Sequence, residues 1–324
     1  MRPSIIRISL PLCSFARSSK SRLYSTTQPP SPPSSSLSPL VISRTVAAPH
    51  CGNIRILSLN NPKSRNAISR ALLAQLRGYV EEIAGEGEKG DTRAVVLASE
   101  VDEAFCAGAD LKERREMSME ETNQFLSSLR STLTILSELP IPTFTSLSSL
   151  ALGGGLELAL ATTFRIFAST AVVGLPETRL AIIPGAGGTY RLPAVVGRQR
   201  ALDLLLTGRR IGGNEAQKMG LCDRVLDVQD LQSRKKEVAQ LEAKELRELT
   251  LKCALEMVKE VCEGGPGAVR AVLRAVRGAE KEEGRWVSGE KSENREYESV
   301  LKSEDRNEAL RAFKEKRKPN FRGR

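Results

Sequence analysis

The sequence predicts an α/β fold followed by a helical C-terminal segment. Short apolar runs of strand length alternate with stretches of helical periodicity up to about residue 227. Glycine-rich turns separate several of these pairs, and beyond Leu231 the pattern is helical almost to the C-terminus. A chain of 324 residues is long enough to bury a full core in one large or two small domains.

The first 24 residues have the composition of a targeting segment. They contain five basic residues and no acidic residue, and the first acidic residue of the chain is Glu81. This pattern is typical of a mitochondrial presequence, so residues 1–24 are predicted to direct the protein to the matrix. The alternative is a disordered basic tail. Residues 25–45, rich in Pro, Ser and Thr, are predicted to form a disordered linker.

The predicted elements follow the chain in order from Asn53. Residues 54–59 are predicted to form a strand that ends in a turn at residues 60–62. Ser69 is predicted to cap a helix that ends near residue 84, and the apolar run at residues 94–98 is typical of a strand buried on both faces. The next predicted elements are a helix over residues 118–138, a strand to about residue 147 and a helix through residue 157.

Charge and cysteine content exclude several classes of function. The net charge of +10 falls to +5 without the five basic residues of the first segment, which weakens the case for nucleic-acid binding. Six cysteines without a C-x-x-C pair are expected to be free thiols in a reducing compartment. With His50 as the one histidine, neither a metal site nor a histidine-based triad is expected.

Glu157 and Glu177 are the candidate catalytic residues. A chain with a single, distant histidine leaves proton transfer to carboxylates. Each glutamate lies in an apolar stretch, and burial raises the pKa of a carboxyl, as does a second carboxylate nearby. The pair is therefore predicted to exchange protons near neutral pH. The alternative for Glu157 is a charge that only complements a helix dipole.

A triple glycine at residues 153–155 precedes Glu157. At the start of a helix, glycine lets a ligand approach backbone N–H groups that have no intrahelical acceptor. Such a position suits a phosphate or a developing oxyanion. A nucleotide-phosphate loop is disfavoured because no Gly-Lys-Ser/Thr follows, and close helix packing remains an alternative.

Three motifs resemble the crotonase, or enoyl-CoA hydratase/isomerase, family. They are FCAGADLK at residues 105–112, ALGGGLELA at residues 151–159, and PE at residues 176–177 with IPGAGGT at residues 183–189. The resemblance covers about residues 50–320. It implies a crotonase-like spiral of ββα units over residues 46–230 and a C-terminal helical trimerisation domain over residues 231–324.

The resemblance also implies a role for individual residues. The backbone N–H groups of Ala109 and Gly154 would form an oxyanion hole for the thioester oxygen. Glu157 and Glu177 would hold a water between them, one delivering it to Cβ and the other giving a proton to Cα. Gly185 would supply a backbone donor that positions this water. Which glutamate performs which step stays open at this stage.

The same resemblance implies contacts to coenzyme A, which enters as part of the substrate and not as a separate cofactor. The residues concerned are Lys63, Ser64, Arg65, Lys112, Phe313 and Lys316. Phosphates require basic partners, although each lysine or arginine could instead be a solvated surface charge.

Two positions depart from the family pattern. Ser148-Ser149 stand where an Asp-Gly or Asn-Gly turn is usual, and Thr162-Thr163 replace a frequent Cys-Asp pair. If the turn needed a positive φ, serine would strain it. Both departures flank Glu157, which leaves open whether this chain has full or reduced activity.

The motifs therefore imply an enzyme that adds water to an enoyl-CoA. Residues 110–118 and 311–317 most resemble the branch that hydrates 3-methylglutaconyl-CoA in leucine breakdown. A short-chain enoyl-CoA hydratase or isomerase is the alternative, and the two carboxylates favour hydration. A homotrimer or hexamer without membrane contact is expected. RNA binding is disfavoured, because the helix at residues 69–84 carries few basic residues.

Overall fold

The centre of the fold is a pair of β-sheets. The computed structural model describes residues 39–228, 242–281, 295, 299 and 303–324. The strands are β1 (Val41–Ala47), β2 (Asn53–Leu59), β3 (Thr92–Ser99), β4 (Ala104–Cys106), β5 (Thr143–Leu147), β6 (Leu150–Leu152), β7 (Phe164–Ala168), β8 (Val172–Gly174), β9 (Arg210–Gly212) and β10 (Arg224–Leu226). The larger sheet has the order β1-β2-β3-β5-β7-β10, and the smaller sheet has the order β4-β6-β8-β9.

Helices follow the strand pairs. They are α1 (Arg70–Glu86), α2 (Leu111–Glu116), α3 (Met119–Glu138), α4 (Gly154–Leu160), α5 (Gly188–Val196), α6 (Arg198–Thr207), α7 (Gly213–Met219), α8 (Ala243–Cys262), α9 (Pro266–Lys281) and α10 (Glu304–Glu315). The chain passes from the larger sheet to the smaller one three times, in β3–β4, β5–β6 and β7–β8, and each pair leads towards a helix or helical turn. The predicted spiral of ββα units is confirmed.

The side chains of strand β3 show that the larger sheet is buried on both faces. Val95 and Leu97 belong to one hydrophobic cluster, which includes the buried faces of α1 and α3. Ala94, Val96 and Ala98 belong to a second cluster. Because successive side chains of a strand point to opposite faces, a continuous apolar run serves two cores at once.

The predicted serine cap at Ser69 is confirmed, and the structure adds a second serine cap at Ser118. The Ser69 hydroxyl accepts a hydrogen bond from the Leu72 N–H at 3.2 Å at the start of α1. At the start of α3, Ser118 and Glu121 form a reciprocal capping box. Each cap satisfies amide groups that the first helical turn leaves without acceptors.

The predicted linker extends too far. Residues 41–47 form β1, which pairs antiparallel with β2 from Val41 opposite Leu59 to Ala47 opposite Asn53. The ordered chain therefore begins before Asn53, and a linker that reaches residue 45 is wrong at its C-terminal end. Pairing with β2 satisfies the backbone of this edge strand, and the Val41 side chain is fully buried.

The C-terminal segment begins by completing the core. Ala254, Val258 and Cys262 of α8 pack in the same cluster as strand residues of the larger sheet. The parts divided by the predicted boundary at residue 230 thus share a core. Parts of the predicted helical domain, at residues 231–241, 282–294, 296–298 and 300–302, lie outside the described residues. Among the described helices, none has the length and apolar character needed to cross a membrane.

Candidate active site

Glu157 is fixed in the first turn of α4. Its side chain is buried, with 2% of its residue surface exposed. Oε1 accepts hydrogen bonds from the Ala186 N–H at 2.7 Å and the Gly188 N–H at 2.8 Å. Burial raises the pKa of the Glu157 carboxyl, whereas the two amide donors and the charges of Arg191 and Arg130 lower it. The carboxylate is therefore both oriented and partly stabilised in its charged form.

Glu177 has a different environment. It begins a 3-10 turn, Glu177–Leu180, that follows β8. The residue is 9% exposed, and its buried Oε2 has no hydrogen-bond partner among the described residues. Burial raises the pKa of Glu177 to about 7, and the neighbouring charge of Glu157 acts in the same direction. A carboxyl in this state can remain protonated near neutral pH.

Gly153 lets Glu177 reach the N-terminus of α4. Its φ of 52° and ψ of −125° lie in a region that side chains disfavour. A β-carbon at this position would lie 2.8 Å from Glu177 Oε1, which is closer than van der Waals contact allows. At the next residue, a β-carbon on Gly154 would lie 4.0 Å from Glu157 Oε2. Both carboxyl groups thus meet at the glycine turn.

The two amides proposed as an oxyanion hole lie beside each other. Ala109 forms a parallel bridge with Ile68, and this bridge uses the Ile68 and Asp110 N–H groups. A β-carbon built on Gly154 would lie 3.8 Å from the Ala109 nitrogen. Within the described chain, neither the Ala109 nor the Gly154 N–H has a backbone or side-chain acceptor. Two neighbouring amide donors are therefore available to one oxygen atom.

The loop at residues 183–188 supplies more than the predicted Gly185. The Gly185 N–H has no acceptor in the described part of the chain, so it is available to a water. Its carbonyl accepts a 2.6 Å hydrogen bond from Arg130 Nε, and Arg191 Nη1 donates to the Ala186 carbonyl at 2.8 Å. Sequence reasoning missed Ala186, Gly188 and both arginines. The run GAGG could have indicated further amide donors, whereas Arg130 carried no signal.

Three of the residues expected to contact coenzyme A lie in or next to one turn after β2. Lys63 and Ser64 lie in the 3-10 turn Pro62–Ser64. Arg65 has a left-handed φ of 53°, and its carbonyl accepts a hydrogen bond from Ala107 at 3.0 Å. This bond joins the basic turn to the loop that carries Ala109.

The other expected coenzyme A residues lie farther along the chain. Lys112 is exposed at the start of α2, where Asp110 caps its N–H at 3.0 Å. Lys316 is exposed just beyond α10, and Phe313 lies in α10 with its side chain outside the described part. Arg317 is paired with Glu308 at 2.6 Å and with Glu315 at 2.6 Å, which reduces the positive charge that the tail offers.

Neither departure from the family pattern strains α4. Ser148 and Ser149 have no positive φ, so the turn does not need glycine or asparagine there. Thr162 Oγ1 donates to the Ala159 carbonyl at 2.7 Å and lies 2.9 Å from Thr145 Oγ1. These hydrogen bonds attach the C-terminal end of α4 to β5 and give the threonine a structural role.

Three comparisons with known proteins agree with this geometry. The family model described as enoyl-CoA hydratase/isomerase matches residues 51–324. An enoyl-CoA isomerase/hydratase of Zymoseptoria tritici is 54% identical over 291 residues, which is 90% of each chain. The mitochondrial methylglutaconyl-CoA hydratase 1 of Pyricularia oryzae is 49% identical, with 94% of this chain and 90% of the relative covered.

A solved structure extends the likeness to three dimensions. The enoyl-CoA hydratase from Bacillus anthracis superimposes with a TM-score of 0.77 at 38% identity, and the match covers 88% of this chain and all of that one. The chain therefore belongs to the enoyl-CoA hydratase/isomerase (crotonase) family and is an enzyme of the hydro-lyase type.

Proposed function

We propose that this enzyme hydrates 3-methylglutaconyl-CoA to 3-hydroxy-3-methylglutaryl-CoA in leucine breakdown. One observation supports hydration as the type of reaction. Two buried carboxyl groups lie in different environments, next to two backbone amides that have no acceptor within the described chain. Glu157 accepts two amide hydrogen bonds, whereas Glu177 Oε2 has no partner among the described residues. One group can hold a proton while the other is ready to accept one.

The proposed reaction uses these groups in a single sequence. The N–H groups of Ala109 and Gly154 bind the thioester oxygen and stabilise the enolate that forms. A water on the Gly185 N–H gives a proton to Glu157 while its oxygen bonds to Cβ. Glu177 then gives its proton to Cα as the enolate collapses. The enzyme returns to its starting state when Glu157 passes its proton back to Glu177.

The assignment of base and acid follows from the two environments. Burial raises the pKa of Glu157, but its two amide donors and the charges of Arg191 and Arg130 oppose this rise and so stabilise the carboxylate that must accept a proton. Burial raises the pKa of Glu177 to about 7, which favours the carboxylic acid that must donate one. Because each glutamate influences the protonation of the other, the assignment states which of the two carries the proton before the reaction begins.

The choice of substrate is supported by the Pyricularia oryzae relative, which is named for methylglutaconyl-CoA. The Zymoseptoria tritici relative, named an isomerase/hydratase, supports a second candidate function. An isomerase moves a proton between two carbons of the acyl chain and can work with one carboxylate. The second carboxylate therefore supports hydration as the first candidate.

A panel of enoyl thioesters tests the proposal. The mature protein would be supplied with 3-methylglutaconyl-CoA, crotonyl-CoA and a 3-enoyl-CoA, and loss or gain of the conjugated thioester absorbance would be followed. We expect hydration of 3-methylglutaconyl-CoA with the highest kcat/KM. Conversion of the 3-enoyl-CoA without any hydration would instead establish the isomerase, and no conversion of any substrate would overturn both functions.

The proposal includes the location of the enzyme and its oligomeric state. The basic, acid-free N-terminal segment and the mitochondrial relative support a matrix enzyme. Exposed Val272 and Val276 on α9 and Leu310 on α10 support assembly through the C-terminal helices into a trimer or hexamer. No cofactor besides the coenzyme A of the substrate is proposed. Light scattering on the purified protein measures the assembly, and a monomer would contradict it.

A further inference from the structure

We infer that Arg130 is a substrate-recognition residue whose guanidinium binds the distal carboxylate of a dicarboxylic enoyl thioester. This inference rests on the proposed hydratase function and assigns the part of the site that selects the acyl group. Arg130 lies on α3, and α3 packs against the loop that carries Gly185.

Two contacts fix Arg130 against this loop. Its Nε donates to the Gly185 carbonyl at 2.6 Å. One helical turn earlier, Leu126 lies close to the same residue, since a β-carbon on Gly185 would be 2.9 Å from Leu126 Cδ2. The face of α3 that presents Leu126 and Arg130 therefore lies beside the residue proposed to hold the reacting water.

The guanidinium keeps donors available. Nη1 and Nη2 of Arg130 have no acceptor within the described part of the chain, and the residue is exposed to solvent. A guanidinium with two free terminal nitrogens can bind a carboxylate with paired, charge-assisted hydrogen bonds.

Neighbouring arginines already have partners. Arg70 is paired with Glu113 at 2.9 Å, and Arg114 lies over the Phe125 ring at 5.5 Å. Arg191 donates to the Ala186 carbonyl and lies 5.0 Å from the Tyr190 ring centroid. Of these four arginines, Arg130 is the one whose two terminal nitrogens have neither an acceptor nor a ring contact within the described part of the chain.

The chemistry of the substrate matches this position. In a glutaconyl thioester, the distal carboxylate is attached through one methylene to Cβ, the carbon that the water attacks. The water is proposed to lie on the Gly185 N–H, and Arg130 binds the carbonyl of the same residue. Because both groups belong to Gly185, we place the distal carboxylate, which extends from the attacked carbon, against the guanidinium of Arg130. A crotonyl thioester carries only a methyl group there and cannot use the contact.

Arg130 also has a structural role, which an experiment must distinguish from carboxylate binding. Through the Gly185 peptide, Arg130 also supports the Ala186 N–H that binds Glu157. Loss of this support would slow hydration of every substrate equally, whereas loss of carboxylate binding would slow only the dicarboxylic one. The decisive quantity is therefore the ratio of kcat/KM for 3-methylglutaconyl-CoA to kcat/KM for crotonyl-CoA.

The experiment compares Arg130→Gln, Arg130→Lys and, as a matched control, Arg191→Gln. We expect Arg130→Gln to lower the ratio by about 10- to 100-fold, the usual effect of a lost hydrogen bond to a charged group. Arg130→Lys should keep an intermediate ratio because it retains the charge without the paired geometry. Arg191→Gln should change both rates by a similar factor and so leave the ratio close to that of the wild type.

A binding measurement gives a second readout that does not depend on turnover. Glutaryl-CoA and butyryl-CoA, which lack the double bond, would be titrated as competitive inhibitors. Arg130→Gln should weaken the inhibition by glutaryl-CoA at least tenfold more than that by butyryl-CoA. Equal effects in both assays would overturn the recognition role.

Failure of this inference is distinguishable from failure of the proposed function. A wild-type enzyme that hydrates 3-methylglutaconyl-CoA, combined with an unchanged ratio in Arg130→Gln, would reject the role of Arg130 alone. A wild-type enzyme that hydrates crotonyl-CoA but not the dicarboxylic thioester would reject the substrate class and the inference with it. Absence of any hydration would reject the hydratase itself.

Discussion

Arg130 and Glu157 bind opposite ends of one peptide group. Arg130 Nε donates to the Gly185 carbonyl at 2.6 Å, and the N–H of the same peptide, that of Ala186, donates to Glu157 Oε1 at 2.7 Å. A hydrogen bond at the carbonyl polarises the amide and strengthens its donation on the other side. The orientation of Glu157 therefore depends on helix α3 as well as on its own helix α4.

Replacement of either glutamate is expected to abolish most of the activity. Glu157→Gln and Glu177→Gln remove the proposed base and the proposed acid, and each should lower kcat by about 10²- to 10⁴-fold. The amide keeps the size of the side chain, so circular dichroism should report a folded protein. Glu248→Gln changes an exposed glutamate of α8 and is the control. A near-normal rate in either site variant would show that the pair is assigned wrongly.

The pH dependence of hydration should reflect Glu177. Burial raises the pKa of this group to about 7, and the proposed reaction needs its protonated form. We expect kcat/KM for hydration to decline as pH rises above about 7. The reverse dehydration needs the ionised form and should instead decline below that pH. A hydration rate that increases through pH 7 would indicate the opposite assignment, with Glu177 as the base and Glu157 as the acid.

Stability should also change with pH through Glu177. Its pKa is about 7 in the folded state, against an ordinary value of 4.5. The folded state thus holds the proton more tightly, so this stabilisation is complete below pH 4.5 and is lost as pH rises to 7. Between pH 5 and pH 8, we expect the Tm of the wild type to fall by a few degrees relative to Glu177→Gln. Parallel Tm curves for the two proteins would contradict this.

Replacing Gly153 with alanine should displace Glu177 by steric contact alone. In Gly153→Ala the new methyl would lie 2.8 Å from Glu177 Oε1, at a φ of 52°. The displacement of Glu177 should lower kcat on the order of 10²-fold, and the strained backbone should cost about 1–3 kcal/mol of unfolding free energy.

The control for this prediction is Gly78→Ala within α1, where a β-carbon meets no atom within 4 Å. Alanine at this helical position should raise the unfolding free energy by about 0.5–1 kcal/mol and leave kcat unaffected. Urea titration and turnover assays on both variants measure these effects. Full activity in Gly153→Ala would show that Glu177 does not need its present position.

Basic residues near the oxyanion loop should contribute to coenzyme A binding. Lys63→Glu and Lys112→Glu introduce repulsion towards phosphates, and each should raise KM for a coenzyme A thioester by about three- to tenfold at low salt. A pantetheine thioester of the same acyl group lacks the nucleotide and should show no such increase. Lys218→Glu on α7 is the control. Equal KM changes for both thioesters would exclude a phosphate contact.

Patterns that are local in the chain predicted much of the molecule. The serine cap of α1, the span of α3 and the apolar run in β3 depend on neighbouring residues, because capping, helical periodicity and burial on both faces leave a local signature. Strand β1 was missed, because a short edge strand is decided by pairing with β2 rather than by its own composition.

By itself, the sequence determined the α/β class, the glycine turn and the two glutamates, since periodicity, glycine content and the scarcity of histidine are properties of the chain alone. Only the tertiary structure decided how these glutamates differ. The amides that hold Glu157 come from 29 and 31 residues away, and Arg130 reaches Gly185 across 55 residues. Such contacts depend on how helices and loops pack, and packing sets the burial and hydrogen bonding that control a pKa.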